Sequence, residues 1–134
     1  MKTFEQLRVV EIAGSHAGAF AAKLFADYGA NVVKIEPPGG DPLRASGEPW
    51  GDIGSEFAFF NTSKRSLCLD AHSDAGLAEL APLLESTDLV IESSAPDPLA
   101  PVSERIGGEQ LVRAYISPFG ASGLYAGYRS NVFT

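Results

Sequence analysis

Basic residues are scarce in this chain of 134 residues. Ten residues are Lys or Arg against 17 that are Asp or Glu, which gives a formal net charge of −7. General nucleic-acid binding needs a basic stripe that neutralises phosphates, and the sequence has none. The composition therefore excludes nucleic acid as an expected partner, and it makes the positions of the few cations informative.

Cysteine and histidine are rarer still. A single cysteine, Cys68, excludes an internal disulfide, and the two histidines, His16 and His72, add too few ligands for a zinc cluster. We therefore expect no metal site. Because Cys68 lies in an apolar run, it is predicted to be a small, buried side chain.

Long apolar segments are also missing. Residues 1–6 are polar and lack the apolar core of a signal peptide, and no apolar run approaches the length of a membrane span. Apolar residues make up 45% of the chain and charged residues 20%, an ordinary composition for a soluble domain. We therefore expect one cytoplasmic domain without a membrane partner.

Strand-like and helix-like segments alternate along the chain. The predicted strands are Arg8–Ala13, Asn31–Glu36, Ser66–Asp70, Leu89–Glu92 and Arg113–Ser117. The predicted helices are His16–Tyr28, Glu56–Asn61, Ser73–Ser86, which Pro82 interrupts, and Glu104–Leu111. Residues 37–54 are predicted to form a long Gly- and Pro-rich loop. This alternation predicts an α/β fold with an open, mainly parallel, Rossmann-like sheet and helices on both faces.

Small residues follow the first predicted strand, in the segment Gly14–Ala19. A helix that begins here would offer free N–H groups and a positive dipole to a phosphate. A nicotinamide dinucleotide-binding fold is a rival interpretation, because Glu36 ends the second strand where that fold places its ribose-binding acid. His16 interrupts the glycine pattern of that fold. Tight packing of helix on sheet, without a ligand, is the third interpretation.

Charged side chains flank the next two strands. Asp41 and Arg44 follow the second strand, and Lys64 and Arg65 precede the third. Such cations can bind a phosphate near the carboxyl ends of parallel strands. The alternatives are a weak surface ion pair between Asp41 and Arg44 and a solvated entry to the third strand. His72 is either a phosphate contact or a surface histidine.

Five segments occur in an order that carries more information than each segment alone: RVVEIA with AGAF after it, LFADYGANVVKIEPPGGDPLR, FFNTSKRSLCLD, TDLVIES and ISPFGASGLYAGYRS. Together they resemble the family III CoA-transferases, the group that includes carnitine, bile-acid and formyl CoA-transferases and 2-methylacyl-CoA racemase. The second and third segments are the specific ones. The resemblance covers nearly all of the chain, whereas the family's usual chain is much longer. It implies that residues 1–134 are the N-terminal, CoA-binding, Rossmann-like portion of a chain that continues past Thr134.

The resemblance also implies a chemistry. The full-length protein would be an interlocked homodimer that acts on CoA thioesters and carboxylic acids. An aspartate outside this chain would form an acyl anhydride and then an enzyme–CoA thioester, a role that suits a carboxylate nucleophile. No catalytic residue would lie in residues 1–134. The resemblance implies ten CoA-binding positions: His16 and Ala17 at the diphosphate, Leu69 and His72 beside the adenine, Arg105 at the phosphates, Arg44, Lys64 and Arg129 as further cations, and Ser93 and Ser94 in the pocket.

The chain departs from the family pattern at two places in that pocket. Pro37 stands where several members have an arginine that stacks on the adenine, and Ser93 and Ser94 replace the usual Asn-Phe. Three functions follow from these observations. The first is the CoA-binding portion of an acyl-CoA:carboxylate CoA-transferase. The second is a non-catalytic assembly half of a fused transferase, and the third, weaker, is a nicotinamide dinucleotide-binding domain.

Overall fold

A computed structural model describes residues 3–93, 102–106, 108–120 and 122–128. Within these ranges the chain forms seven strands: β1 (Arg8–Ala13), β2 (Asn31–Glu36), β3 (Pro49–Trp50), β4 (Ile53–Gly54), β5 (Arg65–Cys68), β6 (Leu89–Ser93) and β7 (Val112–Tyr115). It also forms four helices: α1 (His16–Asp27), α2 (Ser55–Phe60), α3 (Asp74–Glu85) and α4 (Val102–Arg105).

Five of the strands form one sheet in the order β5-β2-β1-β6-β7, and every neighbouring pair is parallel. The predicted parallel sheet is therefore confirmed, with small shifts of the strand ends. From β1 the chain builds outward through β2 to β5 and then returns to the other side of β1 to add β6 and β7. This reversal makes a topological switch point between β1 and β6, which is where open α/β sheets bind ligands.

Helices cover both faces of the sheet, as predicted, because alternate side chains of each strand point to opposite faces. One core lies between the sheet and α1 and consists of small and β-branched side chains: Val9, Ala22, Ala26, Val32 and Ile91. The other core lies between the sheet and α3 and includes larger side chains: Val10, Ile35, Leu80, Leu84 and Val90.

Serine side chains fix the starts of the two long helices. Ser15 Oγ accepts a hydrogen bond from Gly18 N at 3.2 Å at the start of α1, and Ser73 Oγ accepts one from Gly76 N at 3.0 Å at the start of α3. Both are N-caps of the ordinary kind. Pro82 lies inside α3, which runs on to Glu85. The predicted interruption at this proline is therefore wrong.

Three other predictions need correction. Residues 37–54 are not a plain loop, since Pro42–Ala45 form a 3-10 turn and β3 pairs with β4 in an antiparallel hairpin. The helix predicted at Glu104–Leu111 is instead the short α4 at Val102–Arg105. Cys68 is exposed rather than buried, because β5 is an edge strand of the sheet. Within the described residues, none of the helices has the length and apolar character needed to cross a membrane.

Candidate functional site

A cleft of about 380 Å³ opens at the carboxyl ends of the central strands. Its lining comes from the ends of β1, β2 and β6 and from the segments after β2 and β5: Ile12, Ala13, Gly14, Ile35, Pro37, Asp41, Pro42, Leu69, Asp70, Ala71, His72 and Ser93. The volume lies within the range of small-molecule sites, and the cleft occupies the switch point of the sheet. The fold therefore places this cleft where a ligand is expected.

The turn between β1 and α1 forms one side of the cleft. Ser15 Oγ and Ser93 Oγ lie 2.7 Å apart, which joins the helix start to the end of β6. A Cβ on Gly18 would lie 2.5 Å from Ser93 Oγ, so the absence of a side chain lets α1 approach the sheet. A Cβ on Gly14 would meet no atom within 4 Å. The space above Gly14 is therefore open to a ligand.

His16 and Ala17 are the first two residues of α1, and both are exposed. His16 Nε2 lies 2.8 Å from Glu56 Oε2, and the imidazole packs edge-to-face on Phe60 with ring centroids 5.4 Å apart. The pKa of Glu56 is lowered by hydrogen bonds from Ser46 and His16. The start of α1 is thus held against α2.

The segment after β5 forms the second side of the cleft. Leu69 and Ala71 are buried there, whereas Asp70 and His72 are exposed. Asp70 Oδ1 accepts a hydrogen bond from His72 N at 3.0 Å, and α3 begins two residues later, at Asp74. Leu69 and His72, expected to border an adenine, therefore both line the cleft. Their side chains offer an apolar wall and an imidazole at its rim.

Lys64, one of the expected phosphate-binding cations, is turned away from solvent into an ion cluster under α1 that also contains Lys34. Lys64 Nζ lies 2.6 Å from Glu11 Oε2 and also donates to Ala19 O at 2.8 Å. Lys34 Nζ lies 2.7 Å from Glu11 Oε1 and 2.5 Å from Asp41 Oδ2, the latter contact being an ion pair without hydrogen-bond geometry. Burial lowers the pKa of Lys64, and the charge of Glu11 opposes that effect. Side-chain exposure is at most 2% throughout this cluster, and of its members only Asp41 lines the cleft.

Arg44 is engaged in a second ion pair. Its Nε and Nη2 donate to the two carboxylate oxygens of Glu36 at 2.6 and 2.8 Å, and the guanidinium lies 4.0 Å from the ring centroid of Phe57. Ser66 Oγ and the Asp41 N–H also donate to Glu36. These donors, with Arg44 the largest influence, lower the pKa of Glu36 to about 2. Both oxygens of Glu36 are thus occupied, so this acid is not presented to a nucleotide ribose.

Arg105 is held more loosely than the other cations. It ends α4, whose Val102 N–H donates to Glu92 Oε1 at 2.5 Å. Arg105 Nη2 lies 3.9 Å from Asp74 Oδ1, the longest of the ion pairs among the described residues, and 41% of its side chain is exposed. Asp74 follows His72, which lines the cleft, by two positions, and the partly exposed guanidinium is accessible to an anion.

The structure thus brings together Leu69, His72 and Ser93 in the cleft, places His16 and Ala17 on the adjoining helix start, and puts Arg105 beside Asp74 at the start of α3. It separates Arg44 and Lys64 from the cleft by their ion pairs. Ser94 and Arg129 lie outside the described residues. Sequence reasoning missed the lining role of Asp41 and Ile35. Within the described ranges, no group of three or more His, Cys, Asp or Glu is arranged to hold a metal ion.

Comparison with known proteins gives a consistent result. The family model described as CoA-transferase family III matches residues 4–130. The chain is 33% identical to a succinyl-CoA:(R)-benzylsuccinate CoA-transferase subunit of Thauera aromatica, over 98% of this chain and 34% of the relative. It is 35% identical to a succinate–glutarate CoA-transferase of Agrobacterium fabrum, over 91% of this chain and 34% of the relative.

A solved structure gives the same picture. The crystal structure of a CAIB/BAIF family protein from Brucella suis matches with a TM-score of 0.84 at 29% identity, over 98% of this chain and 38% of that one. The chain therefore spans about a third of the length of the curated relatives that it matches.

Proposed function

The chain belongs to CoA-transferase family III, and on that premise we propose that it forms the CoA-binding portion of an enzyme that transfers CoA between two carboxylic acids. The observation that carries the proposal is the cleft at the switch point of the sheet, inside the region that the family model matches. A helix start on one side and an apolar wall on the other suit a ligand with an anionic part and a flat heterocycle.

The two sides of the cleft support a particular orientation of CoA. The adenosine would occupy the space beside Leu69 and His72, where the lining is mostly apolar. The diphosphate would lie at the start of α1, at His16 and Ala17, where free N–H groups and the helix dipole favour negative charge. Ser93 would lie between them. Arg105 would meet a phosphate at the rim, since its guanidinium is exposed and only loosely paired.

The reaction that we propose needs a nucleophile from outside residues 1–134. An aspartate carboxylate would attack the acyl-CoA thioester carbonyl, forming a mixed anhydride and releasing CoA as the thiolate. The thiolate would then attack the aspartyl carbonyl of the anhydride, which leaves an enzyme–CoA thioester and frees the first acid as a carboxylate. A second carboxylate would reverse these steps and depart as the new CoA thioester. Residues 1–134 would bind CoA but form none of these bonds, so this portion alone should be inactive.

One observation favours a second candidate, a non-catalytic assembly half of a fused transferase. Lys64 and Arg44 are neutralised by internal carboxylates rather than aimed into the cleft. The phosphates of CoA would then meet fewer charges than the sequence alone led us to expect. Under either function we propose a cytoplasmic protein whose full-length form is a homodimer.

Calorimetric titration of the intact protein with CoA tests the proposal. A charge-assisted contact contributes about 1.5–3 kcal/mol, so Arg105→Ala should weaken CoA binding about tenfold or more. Arg8→Ala is the matched control, because Arg8 is an exposed cation at the amino end of the central strand β1, away from the cleft, and is paired with Asp88. It removes the same charge and should leave the affinity nearly unchanged.

Titration with dephospho-CoA, which lacks the 3′-phosphate, shows which phosphate Arg105 contacts. If Arg105 meets the 3′-phosphate, the substitution should hardly change the affinity for dephospho-CoA, and if it meets the diphosphate, both ligands should weaken together. Equal CoA affinity in wild type and Arg105→Ala would remove the role assigned to this residue. No detectable CoA binding by the intact wild-type protein would favour the assembly half. Transfer activity is best assayed first with succinyl-CoA, since both relatives described above carry succinate or succinyl-CoA in their names.

A further inference from the structure

Lys34 is a buried cation on β2 that contacts both β1 and the loop after β2. Its side chain is 1% exposed, and its Nζ lies 2.7 Å from Glu11 Oε1, 2.5 Å from Asp41 Oδ2 and 3.1 Å from the carbonyl oxygen of Ala13. Ala13 and Asp41 both line the cleft, one from the end of β1 and the other from the loop after β2. A single ammonium therefore joins two parts of the cleft wall.

Stability alone gives no reason for a lysine at this position. Burying an ammonium and two carboxylates is costly, and a well-packed apolar side chain of similar volume is often as stabilising as a buried ion pair. The neighbouring positions of β2 on the same face of the sheet, Val32 and Glu36, are both buried, and Val32 is apolar. An ammonium, however, donates hydrogen bonds to Glu11 Oε1 and the Ala13 carbonyl and attracts the Asp41 carboxylate by its charge, which an apolar side chain cannot do.

Two of the three residues that Lys34 contacts, Ala13 and Asp41, line the cleft. The Ala13 carbonyl immediately precedes Gly14, above which the cleft is open. Asp41 is 3% exposed, and its Oδ1 accepts a hydrogen bond from Leu43 N at 2.7 Å that caps the 3-10 turn. We propose that Lys34 is a positioning residue, whose buried ammonium holds the end of β1 and the Asp41 loop at the separation that CoA requires. This inference rests on the function proposed above, since it takes CoA as the occupant of the cleft.

The test compares two variants of the intact protein that lose stability for different reasons. Lys34→Met keeps the length of the side chain and removes the ammonium. Leu84→Ala is the matched control, because Leu84 is buried in the other core, about 15 Å along α3 from the cleft end of that helix. Both substitutions should lower the unfolding midpoint. A misplacement of about 1 Å in a binding site costs up to about 100-fold, so we expect Lys34→Met to weaken CoA binding at least about tenfold. Leu84→Ala should leave the affinity within about twofold of wild type.

Hydrogen exchange without any ligand separates this inference from the proposed function. In Lys34→Met, the amides of residues 14–18 and of Asp41, Leu43 and Arg44 should exchange faster than in wild type, and in Leu84→Ala they should not stand out from the rest of the chain. If the wild-type protein fails to bind CoA, the proposed function fails, and the exchange pattern still decides whether Lys34 fixes the cleft. Unchanged exchange in both segments, or CoA affinities that fall equally in the two variants, would overturn the inference.

Asp41→Asn serves if Lys34→Met does not fold. Asparagine keeps the oxygen that caps Leu43 N and loses only the charge that faces Lys34. Asp41 is connected to the end of β1 by Lys34, which contacts both. Faster exchange at residues 14–18 in Asp41→Asn therefore supports the inference that Lys34 holds the Asp41 loop and the end of β1 together. No change at residues 14–18 would contradict it.

Discussion

Glu36→Gln should remove the charge that anchors the loop after β2. The carboxylate of Glu36 is 3% exposed and receives hydrogen bonds from Arg44, Ser66 and the Asp41 N–H. A glutamine of the same shape keeps one acceptor oxygen but presents an amide N–H₂ to the guanidinium. The loop between β2 and the 3-10 turn, which lines the cleft through Pro37 and Asp41, should therefore lose its main attachment.

The pKa of Glu36 sets the size of the stabilisation and the direction of its pH dependence. Arg44, chiefly, holds this pKa at about 2 instead of 4.5. This lowering of the pKa by about 2.5, at about 1.36 kcal/mol for each pKa unit, sets an upper bound of about 3.4 kcal/mol on the stabilisation. Because the Arg44 side chain is 40% exposed and solvent screens the pair, we expect about 2 kcal/mol. Since the folded-state pKa is lowered, this stabilisation is fully present above about pH 4.5 and is lost as the pH falls towards 2.

Urea unfolding of wild type and Glu36→Gln at several pH values between 7 and 2.5 measures the effect. The free energy of unfolding should differ by about 2 kcal/mol at pH 7, and the difference should shrink below pH 4.5. Glu79→Gln, on the exposed side of α3, is the control and should change the stability by less than about 0.5 kcal/mol at any pH. A difference between wild type and Glu36→Gln that stays constant from pH 6 to pH 3 would refute the assignment of the stabilisation to this carboxylate.

Two further predictions concern backbone geometry. Gly18→Ala should lower the free energy of unfolding by about 1–3 kcal/mol, because its Cβ would lie 2.6 Å from Ala13 Cβ and close to Ser93 Oγ. Gly14→Ala should leave the stability nearly unchanged, since its Cβ would meet no atom within 4 Å. It should instead weaken CoA binding, because the new methyl group would occupy the open space of the cleft. Urea unfolding and calorimetry on both variants check this pair, and equal stability of the two would contradict it. Ser63 adopts a φ of 64°, so Ser63→Gly should not destabilise the protein and should raise the unfolding midpoint slightly, which a thermal scan would measure.

The strands and long helices could be predicted because their signals are local. Val- and Ile-rich runs separated by capped helical segments fix a βαβ alternation, and the parallel order follows from the crossover rule. The exposure of Cys68 to solvent could not be predicted in this way. The pattern of its strand is apolar, but its exposure depends on the position of β5 at the edge of the sheet, which no local pattern specifies.

The ion pairs that the lysines form were harder to predict, although the sequence holds one indication of a buried pair. Glu11 and Lys34 each occupy the fourth position of a strand and are flanked by apolar residues on both sides, and in the sheet these two residues are register partners. Two opposite charges at matching positions of adjacent buried strands indicate a buried ion pair, since neither charge is tolerated there alone. That Lys64 and Asp41 complete the cluster depends on tertiary packing, which the sequence pattern does not reveal.

The occupied carboxylate at the end of β2 bears on the choice between CoA and a nicotinamide dinucleotide. Both ligands suit the same topology, with a phosphate at the start of α1, so the strand order does not discriminate between them. The dinucleotide fold needs a free acid at the end of the second strand to accept hydrogen bonds from a ribose. Here Glu36 is in that position, but Arg44, Ser66 and the Asp41 N–H occupy its oxygens. A ribose would have to displace a bidentate arginine from a carboxylate whose pKa is already held near 2. Glu36, the acid on which the dinucleotide interpretation depends, therefore binds the loop after β2 instead of a ribose. This favours CoA over a nicotinamide dinucleotide as the ligand.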